Sequence, residues 1–174
     1  MVTYFSWTPV DTRNAAIATL FPAGLGLAHY MSTRPGNAHY NFYKSSIKPT
    51  WADVNPSVYG LVDLLALTPM GYATYLVYKA GGGFQFRDTT IALAIYAAHA
   101  FFFGMCLPLY EKRNYKMLAV NKGLAFLASL GTLFSYYQIN DTAGMISIPF
   151  AITQGFCFYL AYKLYQLNDT RKEM

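Results

Sequence analysis

The ionisable side chains of this chain draw attention because several lie inside long apolar stretches, where a charge is costly. Asp63, Lys122 and Lys163 occupy such positions. Both lysines lie near the ends of their stretches, so we expect them to reach the interface by snorkelling. Asp63 has two open interpretations, an interfacial carboxylate or a partner of Lys122 across the helices.

His99 lies in the middle of a third apolar stretch. A lone histidine at that depth more often bonds to a neighbouring helix than binds a metal. Thr153 and Gln154 are the expected partners. His29 and His39 lie near the first long loop and share no ligand spacing with His99, so the sequence predicts no metal site.

Motifs that would assign an enzymatic reaction are missing from the sequence. We find no nucleophile elbow, P-loop, dinucleotide fingerprint or pair of carboxylates. Cys106 and Cys157 have no C-x-x-C spacing, and we expect them to be small packing residues. The chain is therefore not expected to be an enzyme or to hold a cofactor.

Five apolar stretches must position these side chains, at about residues 14–32, 58–79, 89–110, 117–139 and 144–167. About 20 helical residues cross the hydrocarbon of a bilayer. Hydrophobic residues make up 55% of the chain and charged residues 12%, below the charge content of a soluble domain. Residues 1–174 are therefore predicted to form one all-α membrane domain, a five-transmembrane-helix bundle.

Three features predict where the helices end or bend. The glycines at 81–83 indicate the end of the second stretch. Asp88 is a predicted N-cap for the third, and Asp141 or Thr142 for the fifth. Prolines inside the stretches predict kinks; they are Pro22, Pro69 and Pro108.

The net charge of +5 is spread over loops and the tail rather than gathered in a patch, so we expect no nucleic-acid partner. With five spans, one side of the membrane carries eight basic residues: Arg34, Lys44, Lys48, Lys112, Arg113, Lys116, Arg171 and Lys172. The other side carries three, which are Arg13, Lys79 and Arg87. The positive-inside bias predicts a cytosolic C-terminus.

The longest connection, residues 33–57, carries several prolines and aromatic residues. A loop of this length is often functional. It could cover the mouth of the bundle as a pocket lid, or it could lie in the interface with its rings among headgroups. Both alternatives stay open.

Three ordered blocks resemble the TspO/MBR family: Pro49-Thr-Trp51, the run from Met70 to Lys79, and Gly82-Gly-Phe84. The resemblance implies five helices around a pocket closed by the first loop, and binding of cholesterol, porphyrins and isoquinoline- or benzodiazepine-type ligands. It also implies the mitochondrial outer membrane and homodimers. Carried over by position, the pocket-lining residues are Ala23, Trp51, Tyr59, Val62, His99, Phe103, Leu118, Cys157 and Leu160.

A proposed sterol pattern, L/V-x(1–5)-Y-x(1–5)-K/R, is met by Leu160, Tyr165 and Arg171. The family's motif aligns with Leu160, Tyr162 and Tyr165, and Gln166 stands where the family often has Arg. Its tryptophan in the last span is Thr153 here, and its N-W-x-W-P-P stretch reads Phe103-Gly-Met-Cys-Leu-Pro108. These departures argue against porphyrin breakdown.

Three functions follow. The first is a translocator or receptor-like membrane protein that binds cholesterol or related lipids, with a role in sterol or tetrapyrrole transport or mitochondrial signalling. The second is a protein that binds porphyrin or haem, or degrades porphyrin. The third is a structural or signalling subunit with vestigial ligand binding, in which the polar Asn121 and Lys122 face a protein partner.

Overall fold

The structure, a computed structural model, describes residues 6–169. This part of the chain is helical and contains no strand. Its helices are α1 (Pro9–Ser32), α2 (Ala38–Ser45), α3 (Pro56–Ala80), α4 (Arg87–Gly104), α5 (Cys106–Glu111), α6 (Tyr115–Ile139) and α7 (Asp141–Asp169). Two short 3-10 helices cover Thr50–Ala52 and Gly83–Gln85.

Four helical stretches within residues 6–169 are long and apolar enough to cross a membrane. They are α3, α4 with α5, α6 and α7. Helix α1 has 24 residues, but it is not among the four, and its first turns carry Asp11 and Arg13. The all-helical membrane fold is thus confirmed, whereas the fifth crossing, at 14–32, stays a prediction.

The long helices are arranged in the order α1, α3, α7, α6, α4 around the bundle, each packed on the next. Helices α1 and α4 complete the circle of helices through side chains. The aromatic rings of His29 and Phe103 meet edge to face there, with centroids 4.7 Å apart. Large side chains, rather than a close approach of the two backbones, therefore join α1 to α4.

Glycine permits the close approach of α1 and α3, as small residues do in membrane bundles. A Cβ on Gly26 would lie 2.9 Å from the Cα of Leu64, and one on Gly71 would run into the backbone of Thr19. Gly24, in contrast, has open space beside it. Of the two glycines of α1, only Gly26 thus lies in this helix interface.

Glycine also ends α3, as predicted. Helix α3 stops at Ala80, and Gly82 follows with a φ of 77°.

The two predicted N-caps are wrong. Helix α4 begins after Phe86, with Asp88 inside its first turn. At α7, the Asn140 side chain accepts from the Ala143 amide at 2.9 Å, because Asn140 is the residue just before the helix.

The third stretch is interrupted at Met105, between α4 and α5. Pro108 has no N–H to donate to the carbonyl four residues earlier, so the helix cannot continue regularly. The Asn121 amide of α6 donates to the Phe102 carbonyl at 2.7 Å, and so satisfies a backbone acceptor next to the break. The predicted kink at Pro108 is a helix break held by α6.

We expect Gly71→Ala to lower the free energy of unfolding by about 1–3 kcal/mol, because its methyl group forces α1 away from α3. The matched control is Gly24→Ala, which meets no atom within 4 Å and should leave stability unchanged or raised. Thermal unfolding in detergent measures both. Equal stabilities of the two variants would contradict this packing.

Candidate ligand-binding site

Loop 1, the connection of residues 33–55 between α1 and α3, folds back over one end of the bundle. Helix α2 buries His39, Phe42 and Tyr43 in a cluster with Tyr110 of α5 and Leu160 of α7. The ring of His39 stacks on that of Tyr110 with centroids 3.6 Å apart. Loop 1 thus closes this end of the bundle, and its opening as a lid stays a proposal.

The second half of the loop lies on the outside of α3 and α7. Trp51 is 46% exposed, and its ring stacks on Tyr159 of α7 at a centroid distance of 5.6 Å. The Tyr59 hydroxyl of α3 donates to the Ala52 carbonyl at 2.9 Å. These contacts fix Thr50–Ala52 against both helices.

An ion pair secures the same segment. Lys48 Nζ lies 3.0 Å from Asp53 Oδ1, and this hydrogen-bonded ammonium lowers the pKa of Asp53. The carboxylate is largely exposed, so the pair contributes little to stability. Asp53 directly precedes Val54, which together with Trp51 lines a cavity.

That cavity, which we term the α3–α7 groove, has a volume of about 230 Å³. It lies between the first turns of α3, the middle of α7 and the second half of loop 1. Its lining residues are Trp51, Val54, Val58, Tyr59, Val62, Thr153, Phe156 and Cys157. The α3–α7 groove therefore opens on the outer face of the bundle.

The α3–α7 groove suits a ligand with an apolar body and few polar groups. No lining residue is charged. The Thr153 hydroxyl donates to the Pro149 carbonyl of its own helix at 2.9 Å, so it serves the groove as an acceptor. Thr153 is therefore not the predicted partner of His99.

The interior holds a separate group that we term the buried ionic cluster: His29 of α1, Asp63 of α3 and Lys122 of α6. Asp63 is 1% exposed, and its Oδ2 lies 3.1 Å from Nδ1 of His29. The two atoms are close enough for an ion pair, but their geometry is not that of a hydrogen bond. The interfacial interpretation of Asp63 is wrong, because the bundle offers it an imidazole partner away from lipid.

Lys122 is also buried, at 2% exposure, so the snorkelling prediction for it is wrong. Its Nζ lies 5.2 Å from the ring centroid of Phe103, within cation–π range. Among residues 6–169, no carboxylate oxygen lies within 4 Å of it, and the Asp63 pairing is therefore not direct. Asn121 and Lys122 both point inward, which removes them from any partner surface.

Two further histidines lie near the cluster. The Ser32 hydroxyl oxygen lies 2.9 Å from Nδ1 of His39, and burial, with His29 and Lys122 nearby, lowers the pKa of His39 well below its usual range. His39 is thus neutral at physiological pH. His99 faces the predicted partner Gln154, but neither meets hydrogen-bond geometry with a described residue.

The predicted lining residues divide into three places. Trp51, Tyr59, Val62 and Cys157 meet in the α3–α7 groove. His99 and Phe103 are buried in the interior, and Leu118 and Leu160 in the cluster beneath α2. Ala23 lies partly exposed on α1. The structure therefore does not gather these nine residues around one cavity.

Sequence reasoning missed four groove residues, namely Val54, Val58, Thr153 and Phe156. A helical spacing signal was present, since Val58 and Val62 are four residues apart, as are Thr153 and Cys157. Cys157 is more than packing, because its thiol lies 3.7 Å from Oδ1 of Asp63. It is the point where the groove approaches the buried ionic cluster.

The residues of the sterol pattern do not share a face of α7. Leu160 is buried, Tyr162 is 42% exposed, and Tyr165 packs at the edge of the cluster beneath α2. Arg171 lies outside the described residues.

Among residues 6–169, no three His, Cys, Asp or Glu side chains lie close enough to share a metal ion.

A comparison with known protein families gives a match over most of the helical part of the chain. The model of the TspO/MBR family covers residues 17–167. The chain belongs to the TspO/MBR family. It is an integral membrane protein, as the four long apolar helices indicate independently.

Two relatives within this family carry the name Translocator protein. The chain is 25% identical to the one from Bos taurus over 157 residues, which is 88% of this chain and 89% of the relative. It is also 25% identical to the one from Ovis aries over 136 residues, covering 76% and 78%. The two relatives are thus matched over most of their length, with most side chains different.

We expect Asp63→Leu to lower the free energy of unfolding by about 3–5 kcal/mol, because it breaks the buried pair with His29 and leaves the buried ionic cluster, with Lys122, without its carboxylate. The double variant Asp63→Leu with Lys122→Met should recover part of that loss. Denaturation in detergent micelles measures the free energy of unfolding of the single and the double variant.

The control is Asp53→Leu, which removes an exposed carboxylate and should change stability little. If Asp63→Leu were as harmless as Asp53→Leu, the buried ionic cluster would not be a structural unit.

Proposed function

We propose that this chain is a translocator or receptor-like membrane protein that binds cholesterol or a related lipid in the α3–α7 groove. The proposal covers transport of the lipid or a signalling response to it, without catalysis. The α3–α7 groove is the observation that carries it, because four residues of the expected pocket meet there around an apolar space.

The shape and chemistry of the groove support a lipid ligand. Ligand pockets for drug-sized molecules are about 300–1,000 Å³, and the groove is smaller at about 230 Å³. A molecule that leaves part of its body in the bilayer fits this volume better than one that must be enclosed. A sterol offers a flat apolar body and one hydroxyl, for which Thr153 provides an acceptor.

The groove is less suited to a porphyrin. Propionate groups need cationic partners, and no groove-lining residue is cationic. A second candidate function, porphyrin or haem binding, is favoured only by the interior, where Lys122 and the imidazoles of His29 and His99 lie. That site requires the interior side chains to move apart, since Phe103 and Phe150 pack against the imidazoles.

The membrane setting is part of the proposal. We take α1 as a fifth crossing, because it packs along the whole apolar part of α3. The excess of basic residues supports a cytosolic side for loop 1 and the C-terminus. Mitochondrial outer-membrane residence and homodimer formation are proposed from the family alone.

We expect Val62→Trp to weaken cholesterol binding at least about tenfold, because the indole fills the α3–α7 groove. The measurement is equilibrium binding of cholesterol and protoporphyrin, in parallel, to purified protein in nanodiscs. Leu65→Trp is the control, since Leu65 lies on the same helix, is exposed and does not line the groove.

Unchanged cholesterol affinity in Val62→Trp would place the lipid elsewhere and contradict the proposal. Saturable protoporphyrin binding that His99→Phe abolishes, without saturable cholesterol binding, would favour the second candidate instead.

A further inference from the structure

The mouth of the α3–α7 groove is formed by three aromatic rings from three parts of the chain. Trp51 comes from loop 1, Tyr59 from α3 and Phe156 from α7. The ring centroids of Trp51 and Tyr59 lie 5.9 Å and 6.2 Å from that of Phe156. We term these three residues the aromatic mouth.

This spacing suits a cation. Cations bind aromatic faces within about 6 Å of the ring centroid, most strongly on tryptophan, and aromatic cages are the usual receptors for quaternary ammonium groups. The centroids of the aromatic mouth are about 6 Å apart, so a cation placed over one ring would have a second ring close by. Next to the aromatic mouth, Lys163 Nζ lies 5.8 Å from the centroid of Tyr159, whose ring stacks on Trp51.

The charges around the groove agree with a cationic occupant. No lysine, arginine or histidine lines it. Asp53 directly precedes a lining residue, and Asp63 lies behind the thiol of Cys157. Asp53 is paired with Lys48 and Asp63 with His29. The aromatic faces rather than the carboxylates therefore supply the attraction for a cation, and the lining sets no positive charge against it.

Hydrogen-bonding capacity separates the two common cationic headgroups. A primary ammonium carries three donors that need acceptors when it leaves water. The Tyr59 hydroxyl donates to Ala52 and that of Thr153 to Pro149, so the lining side chains offer two hydroxyl oxygens as acceptors. A trimethylammonium group needs none and is held by the rings alone.

The position of the mouth fixes the source of the headgroup. Tyr59 lies in the first turn of the membrane-crossing helix α3, and Trp51 lies two residues before the exposed, charged Asp53. Helix α7 continues past this level to pack against α2, so the aromatic mouth lies at headgroup depth although Phe156 is near the midpoint of α7. We propose that the aromatic mouth binds the choline headgroup of a phospholipid, with an acyl chain running along the valines of the groove. This inference rests on the proposed function, that the groove holds a lipid, and adds a phospholipid headgroup site at its mouth.

The chain offers a direct reporter because it has only two tryptophans, Trp7 and Trp51. In the Trp7→Phe variant, Trp51 is the sole tryptophan. The protein is reconstituted in phosphatidylglycerol vesicles with increasing fractions of phosphatidylcholine or phosphatidylethanolamine that carry the same brominated acyl chains. Bromine quenches Trp51 when the lipid occupies the groove.

We expect half-quenching at a mole fraction about three- to tenfold lower for the choline lipid than for the ethanolamine lipid. In the Trp7→Phe background, Phe156→Leu should abolish this preference and Phe156→Tyr should keep it, because the tyrosine retains the ring. Phe134→Leu, which removes an exposed ring on α6, should leave the preference intact.

Equal quenching by the two headgroups would overturn the inference. A parallel titration with a brominated sterol separates this failure from that of the proposed function. Saturable sterol quenching without headgroup preference leaves lipid binding in the groove standing and removes the choline site. Non-saturable quenching by all three lipids contradicts both proposals.

Discussion

A carboxylate in hydrocarbon is costly unless it finds a partner inside the bundle, and Asp63 fixes the orientation of α3 for this reason. Its side chain points inward to His29 of α1. With that rotation set, Gly71 faces α1, where only glycine fits, and Val58 and Val62 face the groove. One buried charge thus determines which face of α3 packs on α1 and which face is left for a ligand.

Side chains fill the interior of the bundle, and the ligand cavity therefore lies outside it. Phe103, Lys122 and the ring of His29 fill the interior of the bundle near the end that α2 covers, and His39 of α2 stacks on His29 there. Among the described residues, the apolar cavity that gathers the expected ligand residues lies outside this interior, between α3 and α7. Entry from the bilayer then requires no opening of the bundle, and loop 1 contributes Trp51 as part of the binding wall.

The helical frame was predictable because apolar length and glycine stops are local signals. The end of α3 at Ala80 and the break near Pro108 follow from residues next to them in sequence. The partners of the polar groups were not predictable, since they depend on helix rotation. Asp63 pairs with a histidine 34 residues earlier, and Lys122 lies over Phe103 rather than at the interface. The groove was predicted in part, because the resemblance supplied Trp51 and Tyr59 but not Phe156, the ring that joins them.

Photo-crosslinking with a sterol that carries a diazirine in its ring system, followed by peptide mapping, tests the central claim most directly. The account predicts labels on the first two turns of α3 and on the middle of α7, around Val62 and Phe156, which excess cholesterol removes. Competable labels on the interior face of α4, around His99, or at Tyr165 near the end of α7 would contradict it.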